Sequence, residues 1–304
     1  EKVKSSELFF IISGFLAVAS IEKMTNLRFI EYIVPKIVRL WPMVFVSVTV
    51  GEIGLMLWYH LSGEVFAPFG FWNLLNSYLC TFQGGAVNNI GLGVNNPTWY
   101  ICVLLVCYSL LYFFVFISNR TNTTYIWYVV AMVFVGIGIR QYGIELPFFN
   151  TIVARGYNAF FLGIICNKLY NRIENKRCIS ILALITVVIV MYCLFRHPML
   201  IDNRWGVICF VLHPSVLIVC LRIGDYMKSD KWKLLGGLSF EIYIWHAVLI
   251  VFFNCLIYIQ PVSWGSEMKM IIFGAFTVAL SLIMHLFIEP LVTKKFQKIM
   301  NGIM

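Results

Sequence analysis

The sequence has 304 residues, of which 61% are hydrophobic and 12% are charged, and its formal net charge is +9. A soluble domain carries about 25% charged residues, so no soluble core of this length could hide so much apolar surface. The composition excludes a water-soluble globular protein and predicts an all-α integral membrane protein. The basic residues sit in short loops between apolar runs, so membrane topology explains them better than a nucleic-acid partner does.

The apolar runs predict a bundle of about nine transmembrane helices, because each run approaches or reaches the roughly 20 residues that a span needs. The predicted spans are 8–21, 41–60, 98–118, 123–139, 148–167, 178–195, 205–221, 238–259 and 268–288. Between the second and third spans lies an uncharged, glycine- and asparagine-rich stretch, 61–97, which is predicted to be a loop. Its segment 71–82 suits the membrane interface.

Lysine and arginine set the predicted orientation. If all nine spans cross, one set of alternate loops holds 16 basic residues, the opposite set holds 6, and Arg155 lies within a span. The positive-inside rule then makes the protein multi-pass, with its C-terminus in the cytoplasm and residue 1 outside. The alternative is a signal peptide, since Lys2, Lys4, an apolar run and the small residues at 17–19 suit one; it would invert every later loop.

Several short strings, in order, resemble the bacterial acyltransferase-3 family of membrane O-acyltransferases. They are 8–16 (LFFIISGFL), 36–42 (KIVRLWP), 97–100 (PTWY), 155–156 (RG), 239–246 (SFEIYIWH) and 287–290 (FIEP). Each string alone is weakly specific, but their order and the topology together cover nearly the whole chain. The resemblance implies a single membrane-embedded acyltransferase-like domain over 1–304.

The resemblance also implies a catalytic histidine on a first span, with an arginine before it. This chain has no histidine before His60, it begins with Glu1, and nine spans leave its two ends on opposite sides. We therefore expect the domain to be N-terminally incomplete. The complete fold would have ten spans, with the principal catalytic histidine on the missing first helix.

Lys36 and Arg39 are predicted to bind acyl-coenzyme A. They are three residues apart on a predicted helix, so they share a face, at the cytoplasmic edge of the membrane. Paired cationic side chains suit the phosphates of this polyanionic co-substrate, and arginine can make bidentate contacts. The alternative is that both charges only fix topology or contact lipid headgroups.

His246 and Glu289 are the candidate supporting catalytic residues within this chain. An imidazole inside a span can act as a general base on a sugar hydroxyl. Alternatively, it is hydrogen-bonded to a neighbouring helix or through Ser239 or Tyr243. Glu289, before Pro290, could orient a histidine or pair with Arg39, or could be a simple helix-end carboxylate. The other histidines are interpreted as a kink site (His213) and as interfacial residues (His60 and His285).

Arg155 is predicted to lie in the outer part of a span, where a charge is costly and usually functional. Its expected partners are Glu52, Glu241 or an acceptor hydroxyl, and the alternative is a structural ion pair. Together with Arg155, the residues predicted to contact the acceptor or to form polar contacts inside the membrane are Ser13, Trp99 and Ser239. Trp99 also suits an interfacial anchor, and Ser13 lacks the sequence context of a nucleophile.

These features lead to one functional hypothesis and two rivals. The leading hypothesis is transfer of an acyl group, expected to be acetyl, from cytoplasmic acyl-coenzyme A to a hydroxyl of a cell-surface or lipid-linked carbohydrate in a bacterial plasma membrane. The rivals are a transporter or flippase of lipid-linked sugars and a catalytically inactive scaffold or sensor. No permanently bound cofactor and no metal are expected, because the nine cysteines are scattered and show no zinc spacing.

Overall fold

A computed structural model describes residues 6–21, 28–63, 75, 77–79, 94–196, 204–227, 229–260 and 265–303. Within these residues the secondary structure is helical, apart from one isolated bridge between Leu146 and Phe149. The prediction of an all-α membrane protein is therefore confirmed. Most of the predicted loop 61–97 lies outside the described residues.

Each predicted span overlaps a helix, but the helix over the second span begins at Phe29, inside the stretch 22–40 that was predicted to be a loop. In chain order they are α1 (Ser6–Ala17), α2 (Phe29–Ser62), α3 (Thr98–Arg120), α4 (Tyr125–Tyr142), α5 (Thr151–Arg172), α6 (Lys176–Arg196), α7 (Arg204–Val207), α8 (His213–Gly224), α9 (Asp230–Ile259), α10 (Ser266–Ile283) and α11 (Glu289–Ile303). A 3-10 turn, Val18–Ser20, extends α1. Two π-helical segments, Ile208–Leu212 and Met284–Ile288, join α7 to α8 and α10 to α11.

Seven of the described helical segments are long and apolar enough to cross a membrane. The other two predicted spans correspond to α1, which is short, and to α5. Helix α5 has 22 residues but carries Arg155, Asn158 and Asn167, and all three side chains are buried. A helix this polar can lie in a membrane only where protein shields it from lipid. The exact number of spans stays a prediction.

The helices divide into two compact units. The first contains residues 1–33 and 103–228, and its central helix is α5, which packs on α1 and α4. Helix α1 approaches α5 closely through Gly14, where an added Cβ would strike the backbone carbonyl of Phe160, and through Gly163, where it would strike that of Ile11. Small residues allow this approach, as at many interfaces between membrane helices.

The second unit contains residues 34–102 and 229–304. Here α2 and α9 lie side by side and run in the same direction. The contacts that fix their register are Gly51 with Val248, Gly54 with Phe252 and Trp58 with Tyr258. A common direction is what the predicted topology requires of these two spans.

Asn95 ties α2 to α9 in this unit. Its amide nitrogen donates hydrogen bonds to Ser47 Oγ (2.9 Å) and to the carbonyl oxygen of Ile244 (3.1 Å), and the side chain is fully buried. We expect Asn95→Leu to lower the free energy of unfolding by about 2 kcal/mol, since both bonds are lost in a buried site. Thermal denaturation in detergent would measure this loss, and an unchanged midpoint would contradict it.

Candidate active site

Lys36 and Arg39 lie on one face of α2, as the sequence predicts. Lys36 is half-buried and Arg39 is exposed, and the two charges are near enough to interact electrostatically. Arg39 has no ion-pair partner among the residues that the structure describes. Two neighbouring cations repel each other, so an anion bound at both would relieve that repulsion.

His246 lies on α9, where its ring bonds to the backbone of its own helix. Nδ1 is 2.7 Å from the carbonyl oxygen of Tyr243, which can only accept, so Nδ1 is the donor in this bond. The imidazole ring also contacts the ring of Tyr243. The Tyr243 ring in turn packs edge-on against the ring of Tyr100, with 5.3 Å between the two ring centroids. The residues of the 97–100 and 239–246 strings therefore meet in the structure, with Trp99 buried beside them.

Glu289 contacts a histidine, His285, which is one of the roles that the sequence left open for it. Nδ1 of His285 is 2.6 Å from Oε2 of Glu289, four residues further on. Interpreting His285 as simply interfacial missed this contact. The His-x3-Glu spacing could have revealed it, because residues four apart share a helix face. Glu289 forms no ion pair with Arg39, its other expected partner, in the part of the chain that the structure describes.

His246 projects from α9, and His285 packs against the opposite side of the same helix. The His285 ring packs against Gly237, where an added Cβ would lie 2.8 Å from Nε2 and from Cε1. His246 is nine residues after Gly237, which corresponds to about 180° around the helix and about 13 Å along it. Glu289 therefore cannot orient His246, and the two candidate catalytic residues belong to different sites.

Glu241 is a buried carboxyl in the apolar helix α9 that the sequence analysis named only as a possible partner for Arg155. Its side chain has 0% exposure, and its Oε2 accepts a hydrogen bond from Trp245 Nε1 at 3.0 Å. Oε1 has no hydrogen-bond partner within the described ranges. An acidic residue inside an apolar span was the signal in the sequence that marked this position.

Arg155 pairs with Glu7, not with Glu52 or Glu241 as expected. Its Nε is 2.6 Å from Glu7 Oε1, and its Nη2 donates to Ser6 Oγ at 2.5 Å. Arg155 is 8% exposed and Glu7 is 4% exposed, so the ion pair is buried between α5 and α1. The helix that begins at Ser6 brings this carboxylate to the arginine, across 148 residues of sequence.

The two candidate serines lie in different units. Ser13 is half-buried on α1, beside the glycine that abuts α5. Ser239 is exposed on α9 and donates to the carbonyl oxygen of Gly236, one turn earlier, at 2.7 Å. The hydroxyl of Ser239 therefore satisfies a backbone group of its own helix.

The apolar helices, the shielded polar helix α5 and the ionisable groups buried among them define a multi-pass helical membrane protein. A family model described as an acyltransferase domain matches residues 6–286. The chain therefore belongs to the acyltransferase-3 family and is a membrane protein of transferase type. No curated protein and no solved structure matches it.

Proposed function

We propose that this protein transfers an acetyl group from cytoplasmic acyl-coenzyme A to a hydroxyl of a cell-surface or lipid-linked carbohydrate. The observation that carries the proposal is the family match over residues 6–286, which makes acyl transfer the chemistry to explain. A plasma-membrane location with a cytoplasmic C-terminus, as the basic loops predict, gives the chain access to a cytoplasmic donor and an outer acceptor.

Lys36 and Arg39 suit the donor end of this reaction. Both are on α2 near its first residues, and Arg39 is exposed without an ion-pair partner among the described residues. Phosphate groups bind best to charge-assisted donors, and a guanidinium beside an ammonium provides several of them. Long basic side chains also extend toward the membrane surface, which brings their charged ends to the water where a nucleotide would arrive.

The transfer itself needs a base and a site for the developing oxyanion. The acceptor oxygen bonds to the thioester carbon, the carbon–sulphur bond breaks, and the hydroxyl proton ends on the released thiol. The family resemblance implies that this base is a histidine on a first span. Within this chain the sequence favours His246, whose bond to the carbonyl oxygen of Tyr243 uses Nδ1 and not Nε2.

The donor site can be tested with the double variant Lys36→Ala, Arg39→Ala. Each lost charge-assisted contact costs about 1.5 kcal/mol or more, so the KM for acetyl-coenzyme A should rise about 100-fold. The assay is transfer of radiolabel from acetyl-coenzyme A to surface glycan in membranes that contain the protein.

The matched control is Lys294→Ala, Lys295→Ala, which removes two exposed positive charges from α11. This control should keep the wild-type KM. An unchanged KM in the Lys36, Arg39 variant would refute the donor site. Sugar translocation without any labelled glycan would instead favour the flippase.

A further inference from the structure

The first unit contains a group of polar side chains that meet at one end of its helices. Glu7 is the second residue of α1, Arg155 follows the start of α5 by one turn, and Arg140 lies in the last turn of α4. The guanidinium of Arg140 lies over the indole ring of Trp205, with 4.0 Å between Cζ and the ring centroid. The predicted orientation places this end of the helices outside the membrane.

His213 joins this group through an irregular turn of its own helix. The π-helical segment Ile208–Leu212 ends directly before His213, and Pro214 follows it. Such turns are rare and occur often at functional sites. Trp205, Cys209 and His213 are spaced four residues apart, so they lie on about the same face of this helix. That face turns toward the interior of the unit, because Cys209 is 0% exposed and His213 is 6% exposed.

The carboxylate of Glu7 lies beside this face. Glu7 is near enough to both Cys209 and His213 to interact with them electrostatically. Arg140 and Arg155 are also within electrostatic range of Cys209. These side chains therefore surround one region of a single compact unit. We define the Glu7 cluster as Glu7, Arg140, Arg155, Trp205 and His213.

Three buried atoms of the Glu7 cluster lack hydrogen-bond partners among the described residues. They are Oε2 of Glu7, Nδ1 of His213 and Nε1 of Trp205. The ion pair with Arg155 uses only Oε1 of Glu7, so Oε2 remains a strong acceptor. A buried polar atom without a partner is costly, and three of them in one region indicate that a bound group supplies the missing hydrogen bonds.

The chemistry of the three atoms favours a ligand with hydroxyl groups. The carboxylate oxygen can only accept, the indole nitrogen can only donate, and the imidazole nitrogen can do either. A phosphate or a carboxylate would be repelled by Glu7. An ammonium group would be repelled by Arg155 and could not accept from the indole. A hydroxyl group is uncharged and both donates and accepts, and a sugar presents several hydroxyls side by side.

The length of the Glu7 cluster favours a sugar over one bound water molecule. Eight residues separate Trp205 from His213, which corresponds to about 12 Å along a helix. A sugar carries hydroxyls on opposite sides of its ring, so it can reach polar atoms that one water molecule cannot bridge. Trp205 and Arg140 are half-buried, whereas His213 and Glu7 are buried, so the cluster runs from the end of the helices into the unit.

We propose that the Glu7 cluster binds hydroxyl groups of the acceptor carbohydrate. Oε2 of Glu7 accepts a hydrogen bond from one hydroxyl, and Nδ1 of His213 and Nε1 of Trp205 bond to others. Arg155 is the positioning residue that holds the Glu7 carboxylate. These residues transfer no proton, so the base stays with the histidine that the family resemblance implies on a first span. This inference rests on the proposed function, because it names the place where the acceptor of that reaction binds.

Replacing His213 with leucine separates sugar binding from folding. Leucine is close to histidine in size and removes an unpaired buried nitrogen, so the variant should denature in detergent at the wild-type temperature or above. At least one of the methyl glycosides of glucose, galactose and N-acetylglucosamine, at millimolar concentration, should raise the wild-type midpoint by about 2 °C, and His213→Leu should lose that shift. Sugars excluded from protein surfaces stabilise both proteins alike, so the difference between the two shifts reports binding.

A second variant keeps an aromatic ring and removes the indole N–H. In transfer of radiolabel from acetyl-coenzyme A to the methyl glycoside, Trp205→Phe should raise the KM for the glycoside about tenfold, as loss of one hydrogen bond does. The KM for acetyl-coenzyme A should stay at the wild-type value. The matched controls are Trp127→Phe, at a position with 70% exposure on α4, and His60→Leu, at an exposed position near the end of α2. Both controls should behave as the wild type does.

The outcomes separate this inference from the proposed function. If no methyl glycoside shifts the wild type more than His213→Leu, the cluster holds ordered water only and the inference is overturned. Denaturation of His213→Leu well below the wild-type temperature would also overturn it, because the imidazole would then be needed for folding. If a glycoside shifts the wild type but not His213→Leu, and the wild type does not use acetyl-coenzyme A, the sugar site stands and the proposed function fails.

Discussion

Replacing Arg155 with leucine should lower the free energy of unfolding by about 3–5 kcal/mol. The substitution leaves Glu7 as a buried carboxylate without its cation, and removal of one partner from a buried ion pair is among the most destabilising single changes. The Glu7 side chain cannot escape to water, because it is 4% exposed and one of its oxygens, Oε2, already lacks a hydrogen-bond partner among the described residues. Thermal denaturation in detergent and the yield of folded protein would measure the effect.

A double-mutant cycle distinguishes this explanation from simple loss of packing. Glu7→Leu combined with Arg155→Leu should be less destabilising than Arg155→Leu alone, because no charge is left unpaired. Arg177→Leu removes an exposed arginine from the start of α6 and serves as the matched control. Equal losses in the single and double variants would show that the ion pair contributes little to stability.

The positions of the spans could be predicted from the sequence because lipid imposes a simple requirement on each one. Apolar runs of sufficient length must be helices, and α3, α6 and α9 match their predicted runs to within a few residues at most ends, although α9 begins eight residues early. Helix α5 was predicted as a span although its polar residues lower its hydropathy. The structure supplies the reason that it is tolerated, since α1 and α4 cover it.

The partners within the candidate site could be predicted only where they are close in sequence. That Arg155 would have a partner followed from the cost of a charge in a span. Its choice of Glu7 depends on the packing of α1 against α5, which no local pattern encodes. The reverse holds for His285 and Glu289, whose four-residue spacing was visible in the sequence and whose significance became clear from their 2.6 Å contact.

Gly14→Ala should lower the free energy of unfolding by about 1–3 kcal/mol or more, although alanine is the better helix former. The added methyl group would meet the backbone carbonyl of Phe160, and a backbone atom in the middle of a helix cannot move aside as a side chain can. Gly163→Ala should have a similar effect, since its methyl group would meet the carbonyl of Ile11 on the same interface. Denaturation midpoints in detergent would measure both changes.

The double variant and a control make this prediction specific. One separation of α1 from α5 relieves both contacts, so Gly14→Ala and Gly163→Ala together should cost less than the sum of their separate effects. Gly138→Ala, in α4 with nothing within 4 Å, should instead stabilise by about 0.5–1 kcal/mol. Additive losses, or stability gained in Gly14→Ala, would contradict a close approach at this position. If the approach is confirmed, the glycine of the Ser-Gly-Phe string is required for packing that holds Glu7 against Arg155.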